Sequence, residues 1–299
     1  MSGLNGLLAA LVTPFSADGE SVDESALRKL VEHTVAAGVH GLVPCGSTGE
    51  FASMTSAERR QVVEIVMDQA TGRVPVLAHT AAMTTREAVS LSRHAEQVGT
   101  AGVMVVAPYY EPLTVEEIKA YYRDIAESVS IDIMIYNLPG ATGVNLPPED
   151  IAELASSHST IRYVKDSSAN FSQAARLIHE YGDLVSTFVG WDTLYFAALV
   201  EGASGSVHGA GNLGPAELVS IYDSVQAGDV GAARREWNRV FPIMQFLVSG
   251  GYVTGVKAAL EFLGLSAGPP RAPIERLSGA RAAELKKILE NFKPYAGDA

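Results

Sequence analysis

The sequence predicts an α/β fold, specifically a (β/α)8 TIM barrel with a small C-terminal helical region. Eight short runs are apolar on both faces and are bounded by Gly, Pro or polar residues, which is typical of buried parallel strands. Amphipathic stretches lie between the runs, and eight such units within about 225 residues have the length of a barrel. A doubly wound open sheet is the competing architecture. No Gly-rich dinucleotide fingerprint follows the first run, which weakens that alternative.

The strands are predicted in order from these runs. They are 7–15, 41–46, 74–80, 102–108, 131–137, 161–166, 186–192 and 205–211. The first helix is indicated by VDESALRKLVEHTVAAG, which has an acidic start, apolar residues three and four apart, and a glycine stop. The stretches TSAERRQVVEIVMDQATG, TTREAVSLSRHAEQVG and TVEEIKAYYRDIAESV follow the same plan. Thr55 or Ser56 is the candidate cap of the second helix.

Further helical patterns follow the eighth unit, at roughly 229–250, 251–263 and 278–292. We therefore expect residues 1–228 to form the barrel with the active site. Residues 229–299 are expected to form a helical region packed on the barrel.

Composition limits the partners of this chain. Its 299 residues are 47% hydrophobic and 19% charged, which is an ordinary globular mixture. The formal net charge of −12 argues against nucleic acid or an anionic membrane as a partner, but allows a small anionic substrate.

The single cysteine, Cys45, excludes an internal disulfide, and its apolar surroundings favour a buried core residue. The N-terminus lacks the pattern of a signal peptide, and no apolar run reaches the roughly 20 residues of a membrane span. We expect a cytoplasmic protein.

The run IRYVKD ends in Lys165, where the active site of a barrel is found. Lysine is rarely buried without a partner or a purpose. One interpretation is a solvated lysine at a strand end. The other is an amine kept neutral by its surroundings so that it attacks a carbonyl. Tyr136, one strand earlier, is expected to lie close to Lys165, although a lone tyrosine there is also typical of a core or rim.

The segment GSTGE (46–50) offers backbone N–H groups and the hydroxyls of Ser47 and Thr48. Such a turn suits a carboxylate, although a purely structural turn has the same composition. A lysine for a Schiff base, a phenol for proton transfer and a carboxylate-binding turn would together handle a 2-oxo acid.

These residues resemble the dihydrodipicolinate synthase / N-acetylneuraminate lyase family of pyruvate-dependent class I aldolases. The resemblance covers nearly the whole chain and is carried by GSTGE, PYY, YNLPGATG and VKDSS. It implies that Lys165 forms the Schiff base, that Tyr136 relays protons, and that Ser47 and Thr48 hold the pyruvate carboxylate. In the Schiff-base mechanism Ser47 also moves protons together with Tyr136, so Ser47 is expected to be catalytic. It also implies that Tyr110 completes the relay from a neighbouring subunit of a homotetramer, a dimer of dimers. The remaining positions assigned to substrate binding are Gly46, Val207, Gly190, Asp192, Ser167 and His208.

Two departures from the family pattern affect the choice of substrate. Ala141 stands where dihydrodipicolinate synthases carry an arginine for the second substrate's carboxylate, and a methyl group cannot supply that clamp. Thr193 follows Asp192 where sialic-acid lyases have a glutamate. Met83, Ser56 and Arg59 differ from the positions that bind feedback lysine, so we expect no inhibition by lysine.

The sequence thus favours a Schiff-base lyase or aldolase that acts on pyruvate or a pyruvate-derived 2-oxo acid, such as a 2-keto-3-deoxy sugar acid, with an aldehyde as co-substrate or product. Three alternatives remain open. They are dihydrodipicolinate synthase proper, which joins pyruvate to aspartate semialdehyde; a dehydratase or deaminase that uses the same lysine imine; and a non-catalytic 2-oxo-acid-binding protein.

Three polar residues near the predicted site have open roles. Asp192 could bind a polyol tail or cap the next helix. His208 could contact the distal end of the substrate, act as a second acid or base, or form part of the wall. His79 and His208 lack a third ligand for a metal, and the imine chemistry needs none. We therefore expect neither a cofactor nor a metal.

Overall fold

Eight parallel strands form a barrel in the computed structural model, which describes residues 3–292. The strands are β1 (Gly6–Ala10), β2 (Gly41–Val43), β3 (Leu77–His79), β4 (Gly102–Val106), β5 (Asp132–Asn137), β6 (Ile161–Asp166), β7 (Ser186–Val189) and β8 (Gly205–His208). Nearly every strand residue is buried, because the barrel interior covers one face and the helices cover the other.

The strand order around the barrel is β2-β1-β8-β7-β6-β5-β4-β3, with parallel pairing throughout. A parallel bridge between Leu42 and Val76 joins the two ends, and the Leu42 N–H donates to the Pro75 carbonyl at 3.0 Å. The barrel is therefore closed, and the predicted fold class is confirmed.

Twelve α-helices are found among residues 3–292. They are α1 (Glu24–Ala36), α2 (Ser56–Ala70), α3 (Thr85–Gln97), α4 (Val115–Ala126), α5 (Pro139–Thr142), α6 (Pro148–Ser157), α7 (Phe171–Tyr181), α8 (Tyr195–Glu201), α9 (Pro215–Gln226), α10 (Val230–Val248), α11 (Tyr252–Phe262) and α12 (Gly279–Phe292). Thr55 caps α2 and exchanges hydrogen bonds with Glu58 in a capping box, so the predicted helix start is confirmed.

Each predicted run overlaps an observed strand, although β1 begins one residue before its run and several strands end earlier than theirs. β7 stops at Val189 and β8 at His208, and a 3₁₀ turn then follows each of them, at Asp192–Leu194 and Gly209–Asn212. The residues that the predicted runs add beyond these strands are mostly small or apolar: Gly190 and Trp191 after β7, and the buried segment 209–211 after β8. They therefore look like strand in the sequence although they make no sheet pairing.

The last three helices pack outside the barrel, and α10 lies against both α9 and α12. The predicted boundary after residue 228 falls in the loop between α9 and α10. Among residues 3–292, no helix combines the length and the apolar character needed to cross a bilayer.

Candidate active site

Lys165 and Tyr136 are direct neighbours on β6 and β5. The register of these strands pairs the two residues, and the Lys165 Nζ lies 3.9 Å from the centroid of the Tyr136 ring. Lys165 is only 5% exposed, so it is not the solvated lysine of the first interpretation. A buried amine above an aromatic ring, at the carboxyl end of a barrel strand, is suited to nucleophilic attack on a bound carbonyl.

A buried polar network fixes the ends of these two strands. Asn137 follows Tyr136, Asp166 follows Lys165, and the Asn137 amide donates to Asp166 Oδ1 at 2.9 Å. Gln173 donates to the same oxygen at 3.0 Å. Burial raises the pKa of the Asp166 carboxyl, while these hydrogen bonds oppose that rise. The network holds the backbone on which the lysine and the tyrosine sit.

Gly190 leaves the space that the Lys165 side chain occupies. A Cβ added at Gly190 would lie 2.6 Å from Lys165 Cε and 2.0 Å from Ser167 Oγ. Both distances are shorter than any normal contact of a carbon atom. The glycine after β7 is therefore a steric requirement of the lysine position rather than only a flexible link.

The turn that follows β2 is held in an unusual backbone conformation. Cys45 and Glu50, which flank GSTG, both have positive φ angles, 59° and 58°. The Thr13 hydroxyl donates to the Gly49 carbonyl at 2.8 Å, which ties the turn to the end of β1. Such a turn can aim backbone N–H groups and hydroxyls at an anion.

One cavity of about 290 Å³ brings together most of the predicted site residues. It is lined by Ser47, Thr48, Tyr136, Lys165, Ser167, Gly190, Asp192, Val207 and His208. The side chains of the candidate carboxylate-binding turn, Ser47 and Thr48, thus line the same cavity as the candidate nucleophile Lys165, as the sequence predicts.

Asp192 is buried in the wall of this cavity and does not cap a helix through its side chain. Its Oδ1 accepts a hydrogen bond from the Tyr252 hydroxyl at 2.6 Å. Tyr252 in turn accepts a hydrogen bond from the Gly209 N–H at 2.9 Å. Burial, followed by the charge of Asp192, raises the pKa of Tyr252 well above its usual value, so the phenol keeps its proton and remains the donor.

His208 lines the cavity, but its ring is fully buried. It packs edge-on against Tyr195 at 5.1 Å between centroids, and its Nδ1 is 3.8 Å from Asp192 Oδ1. Burial lowers the pKa of His208 although Asp192 acts in the opposite direction. His208 is thus a buried residue of the cavity wall, next to Asp192.

Two predicted site residues do not line the cavity. Gly46, the first residue of the GSTGE turn, is buried and is not part of the cavity lining. Tyr110 is 82% exposed, so its side chain points away from the cavity of its own chain.

His79 is buried against Phe51, with ring centroids 4.5 Å apart, and does not line the cavity. Burial lowers its pKa well below the usual value, which keeps the imidazole neutral. Burial also raises the pKa of the Cys45 thiol to about 12, so this cysteine is no thiolate nucleophile. Among residues 3–292, no three His, Cys, Asp or Glu side chains come together as metal ligands.

Two contributions from α11 were missed by sequence reasoning. Tyr252 binds Asp192, and Lys257 forms a buried ion pair with Glu50 at 2.6 Å, which links α11 to the end of the GSTGE turn. The only signal was the segment GGYVTGVK, which contains both residues. Nothing in its spacing identifies partners that lie far away in the chain.

The barrel, with a buried lysine and tyrosine at adjacent strand ends, defines this protein as a lyase of the class I aldolase type. The chain belongs to the dihydrodipicolinate synthetase family, whose model matches residues 3–292. It is 39% identical over 289 residues to the 4-hydroxy-tetrahydrodipicolinate synthase of Methanospirillum hungatei, which covers 96% of this chain and 99% of the relative. The synthase of the same name from Methanopyrus kandleri is 38% identical over 289 residues, 97% of this chain and 96% of that one.

Solved structures of this family share the whole fold. The dihydrodipicolinate synthase of Aquifex aeolicus has a TM-score of 0.93 at 31% identity, covering 97% of this chain and 98% of that chain. A prophage protein of the family from E. coli, solved in complex with pyruvate, has a TM-score of 0.93 at 30% identity and covers 98% and 99%.

Proposed function

We propose that this enzyme forms or breaks a C–C bond in pyruvate or a pyruvate-derived 2-oxo acid through a Schiff base on Lys165. The observation that carries the proposal is the buried Lys165 amine, 3.9 Å from the Tyr136 ring, in the same cavity as Ser47 and Thr48. That cavity supplies a nucleophile, a phenol and a carboxylate-binding turn within the reach of one small molecule.

The first half of the proposed reaction converts the ketone into an imine. The neutral amine of Lys165 attacks C2 of the 2-oxo acid, and the resulting carbinolamine loses water to give a protonated imine. Tyr136 moves the protons of these steps. Ser47 and Thr48, with the backbone next to Gly46, hold the carboxylate. Val207, Gly190 and Ser167 surround the bound pyruvyl group.

The second half breaks or makes the C3–C4 bond. In cleavage, the C4 hydroxyl loses its proton, the C3–C4 bond electrons move toward the imine nitrogen, and an aldehyde leaves. The enamine that remains is protonated at C3, and water then releases pyruvate and the free lysine. In condensation, the enamine C3 attacks the aldehyde carbon, and the new oxyanion takes a proton. Asp192, with His208 next to it, lies where the part of the substrate beyond C3 would extend.

Dihydrodipicolinate synthase proper is the second candidate, because curated relatives at 38–39% identity carry the name 4-hydroxy-tetrahydrodipicolinate synthase. Against it, Ala141 on α5 offers only a methyl group where an arginine would bind the carboxylate of aspartate semialdehyde. The sequence alone offers a 2-keto-3-deoxy sugar acid as one example of such a 2-oxo acid, and the lining of the cavity favours a different class of aldehyde, as argued below. A dehydratase or deaminase would use the same imine, and product identity separates it from a lyase.

Trapping of the imine tests the proposal. Protein incubated with pyruvate and then borohydride is expected to carry one reduced pyruvyl adduct on the peptide that contains Lys165. Lys165→Ala should lose the adduct. Tyr136→Phe should still reach it, but more slowly, while turnover falls by roughly 10²–10⁴-fold, the usual effect of a lost general acid–base group. An adduct that persists in Lys165→Ala, in protein shown to be folded by circular dichroism, would refute this assignment.

A further inference from the structure

We infer that the aldehyde partner of pyruvate in this enzyme is an uncharged molecule with a largely apolar body. The inference rests on the proposed function and specifies the class of aldehyde that takes part in the reaction. It is based on an apolar wall of the cavity, formed by Leu138, Trp191, Leu247, Val248 and Val253.

The apolar wall combines three separate parts of the chain: the loop after β5, the loop after β7, and the end of α10 with the start of α11. Leu247 is fully buried, whereas Leu138, Trp191, Val248 and Val253 are half-buried and keep part of their surface open. An apolar group that covers this surface gains from leaving water, whereas a hydroxyl placed there loses its hydrogen bonds without replacement.

The charges of the cavity disfavour a second carboxylate. Within the described part of the chain, Lys165 is the only lysine or arginine that lines this cavity, and the imine with pyruvate uses its nitrogen. The remaining charged side chain in the lining is the carboxylate of Asp192, which would repel another anion. A carboxylate at the distal end would thus be desolvated without a cation to pair with.

The polar side chains of the cavity, which include Asp192, His208 and Ser167, all lie outside the apolar wall. The Tyr252 hydroxyl already donates to Asp192 Oδ1, and the Gly209 N–H already donates to Tyr252. Asp192 has a second oxygen, which can accept a further hydrogen bond from the C4 hydroxyl formed when the aldehyde is consumed. A polyol chain would bring additional hydroxyls against the wall, where they find no partners.

The test uses wild-type protein and pyruvate with five aldehydes. Butanal and benzaldehyde are uncharged and apolar, D-glyceraldehyde is an uncharged polyol, and succinic semialdehyde and L-aspartate semialdehyde carry a carboxylate. Condensation products are quantified by mass spectrometry, and kcat/KM is compared. We expect butanal or benzaldehyde to exceed each of the other three by at least about tenfold, the scale of discrimination that a hydrophobic pocket provides.

A matched pair of variants tests whether the apolar wall itself sets this preference. Val248→Lys places a cation in the wall, and Val248→Met places an uncharged side chain of comparable length there. Lysine should raise the ratio of kcat/KM for succinic semialdehyde to that for butanal by about tenfold, since it supplies the missing counter-charge. Methionine should leave this ratio within about twofold of wild type. An unchanged ratio in Val248→Lys would overturn the assigned contact.

Borohydride trapping with pyruvate, measured for every protein, separates the two proposals. Absence of the Lys165 adduct in the wild type would reject the proposed function. The wild type could instead form the adduct but prefer D-glyceraldehyde or one of the two aldehydes that carry a carboxylate. That result would reject only the inference about the substrate. An adduct with no condensation of any of the five would reject that inference as well.

Discussion

At the residue scale, the position of Lys165 depends on the neighbouring strand end, where Gly190 carries no side chain. The lysine is 5% exposed and lines the cavity, and the space around its Cε exists because no Cβ projects from residue 190. The reactive amine is therefore placed by packing as well as by its own strand.

We predict that Gly190→Ala removes Lys165 from its working position. The new methyl would sit 2.6 Å from Lys165 Cε and 2.0 Å from Ser167 Oγ, so one of them must move. Adduct formation with pyruvate should slow by at least about 10²-fold, which is the scale of loss that follows a misplacement of about 1 Å. The rate is measured by timed borohydride quenching.

Gly140→Ala is the matched control for this change, because a Cβ at Gly140 meets nothing within 4 Å. It should form the adduct at the wild-type rate. If Gly190→Ala formed the adduct as fast as Gly140→Ala, the steric account of this position would be wrong.

The sequence predicted Lys165 and Tyr136 as neighbours because strand ends and their order can be read from apolar runs. It could not place His208 equally well. The ring of His208 is directed by its contacts with Tyr195 and Asp192, which belong to the segment after β7. Side-chain direction at a strand end depends on such tertiary contacts, which leave no local pattern.

At the element scale, α11 joins two parts of the site that belong to different strand ends. Near its first turn, Tyr252 holds Asp192; near its middle, Lys257 is paired with Glu50 of the GSTGE turn. The ammonium of Lys257 also donates to the Pro269 carbonyl at 2.9 Å, and the Arg271 N–H donates to Glu50 Oε2 at 2.8 Å. The C-terminal region thus supports the carboxylate-binding turn directly.

We predict that Lys257→Met weakens both the fold and pyruvate binding. Loss of one partner of a buried ion pair leaves an uncompensated charge, at a cost of about 3–5 kcal/mol in the free energy of unfolding. Because the unpaired Glu50 then displaces the GSTGE turn, the KM for pyruvate should rise by a larger factor than the factor by which kcat falls. Urea unfolding and steady-state kinetics give the two quantities.

Lys286→Met, on the exposed face of α12, is the control for removing a lysine from the same region. It should match wild type in both measurements. A Lys257→Met protein that is less stable but binds pyruvate with an unchanged KM would show that Lys257 stabilises the fold without positioning the turn.

Element boundaries could be predicted well where local chemistry sets them. The capping boxes at Thr55 and Thr114 are visible in the sequence and are present in the structure. The ends of β7 and β8 were predicted too late, because Gly190 and Trp191 after β7 and the buried turn after β8 continue the apolar run although they belong to no strand.

At the scale of the whole molecule, Tyr110 is the predicted catalytic residue that one chain does not place in its own cavity. An aromatic side chain that is 82% exposed suits a contact with another copy, as the resemblance implies. The assembly state varies among similar proteins, since a solved variant of dihydrodipicolinate synthase that is 27% identical to this chain is described as monomeric. The homotetramer is therefore our proposal for this chain.

We predict that two inactive variants restore activity when they share an assembly. Tyr110→Ala lacks the relay tyrosine and Lys165→Ala lacks the nucleophile, so each alone should be nearly inactive. In hybrids made by co-expression, a Lys165→Ala subunit can supply Tyr110 to an intact Lys165 in its neighbour. Activity should recover to roughly a quarter of wild type, as expected when random pairing leaves one productive site in four.

Light scattering gives the assembly state of each preparation. Hybrids that form the assembly but stay inactive would show that Tyr110 acts within its own chain or not at all.

The fold was predictable at this scale because eight buried runs permit few arrangements, whereas contacts between copies leave no periodic pattern in one sequence.

The ion pair of Glu50 also has a consequence for synthesis of the chain. Glu50 and Arg271 are separated by 221 residues, and Lys257 likewise follows all eight strands. As the chain leaves the ribosome from its N-terminus, the barrel strands are complete before the groups that neutralise and hold Glu50 have been made. A nascent chain therefore passes through a stage at which all eight strands have been made while the carboxylate-binding turn is unsupported, and the site becomes competent only after residue 271 has been made.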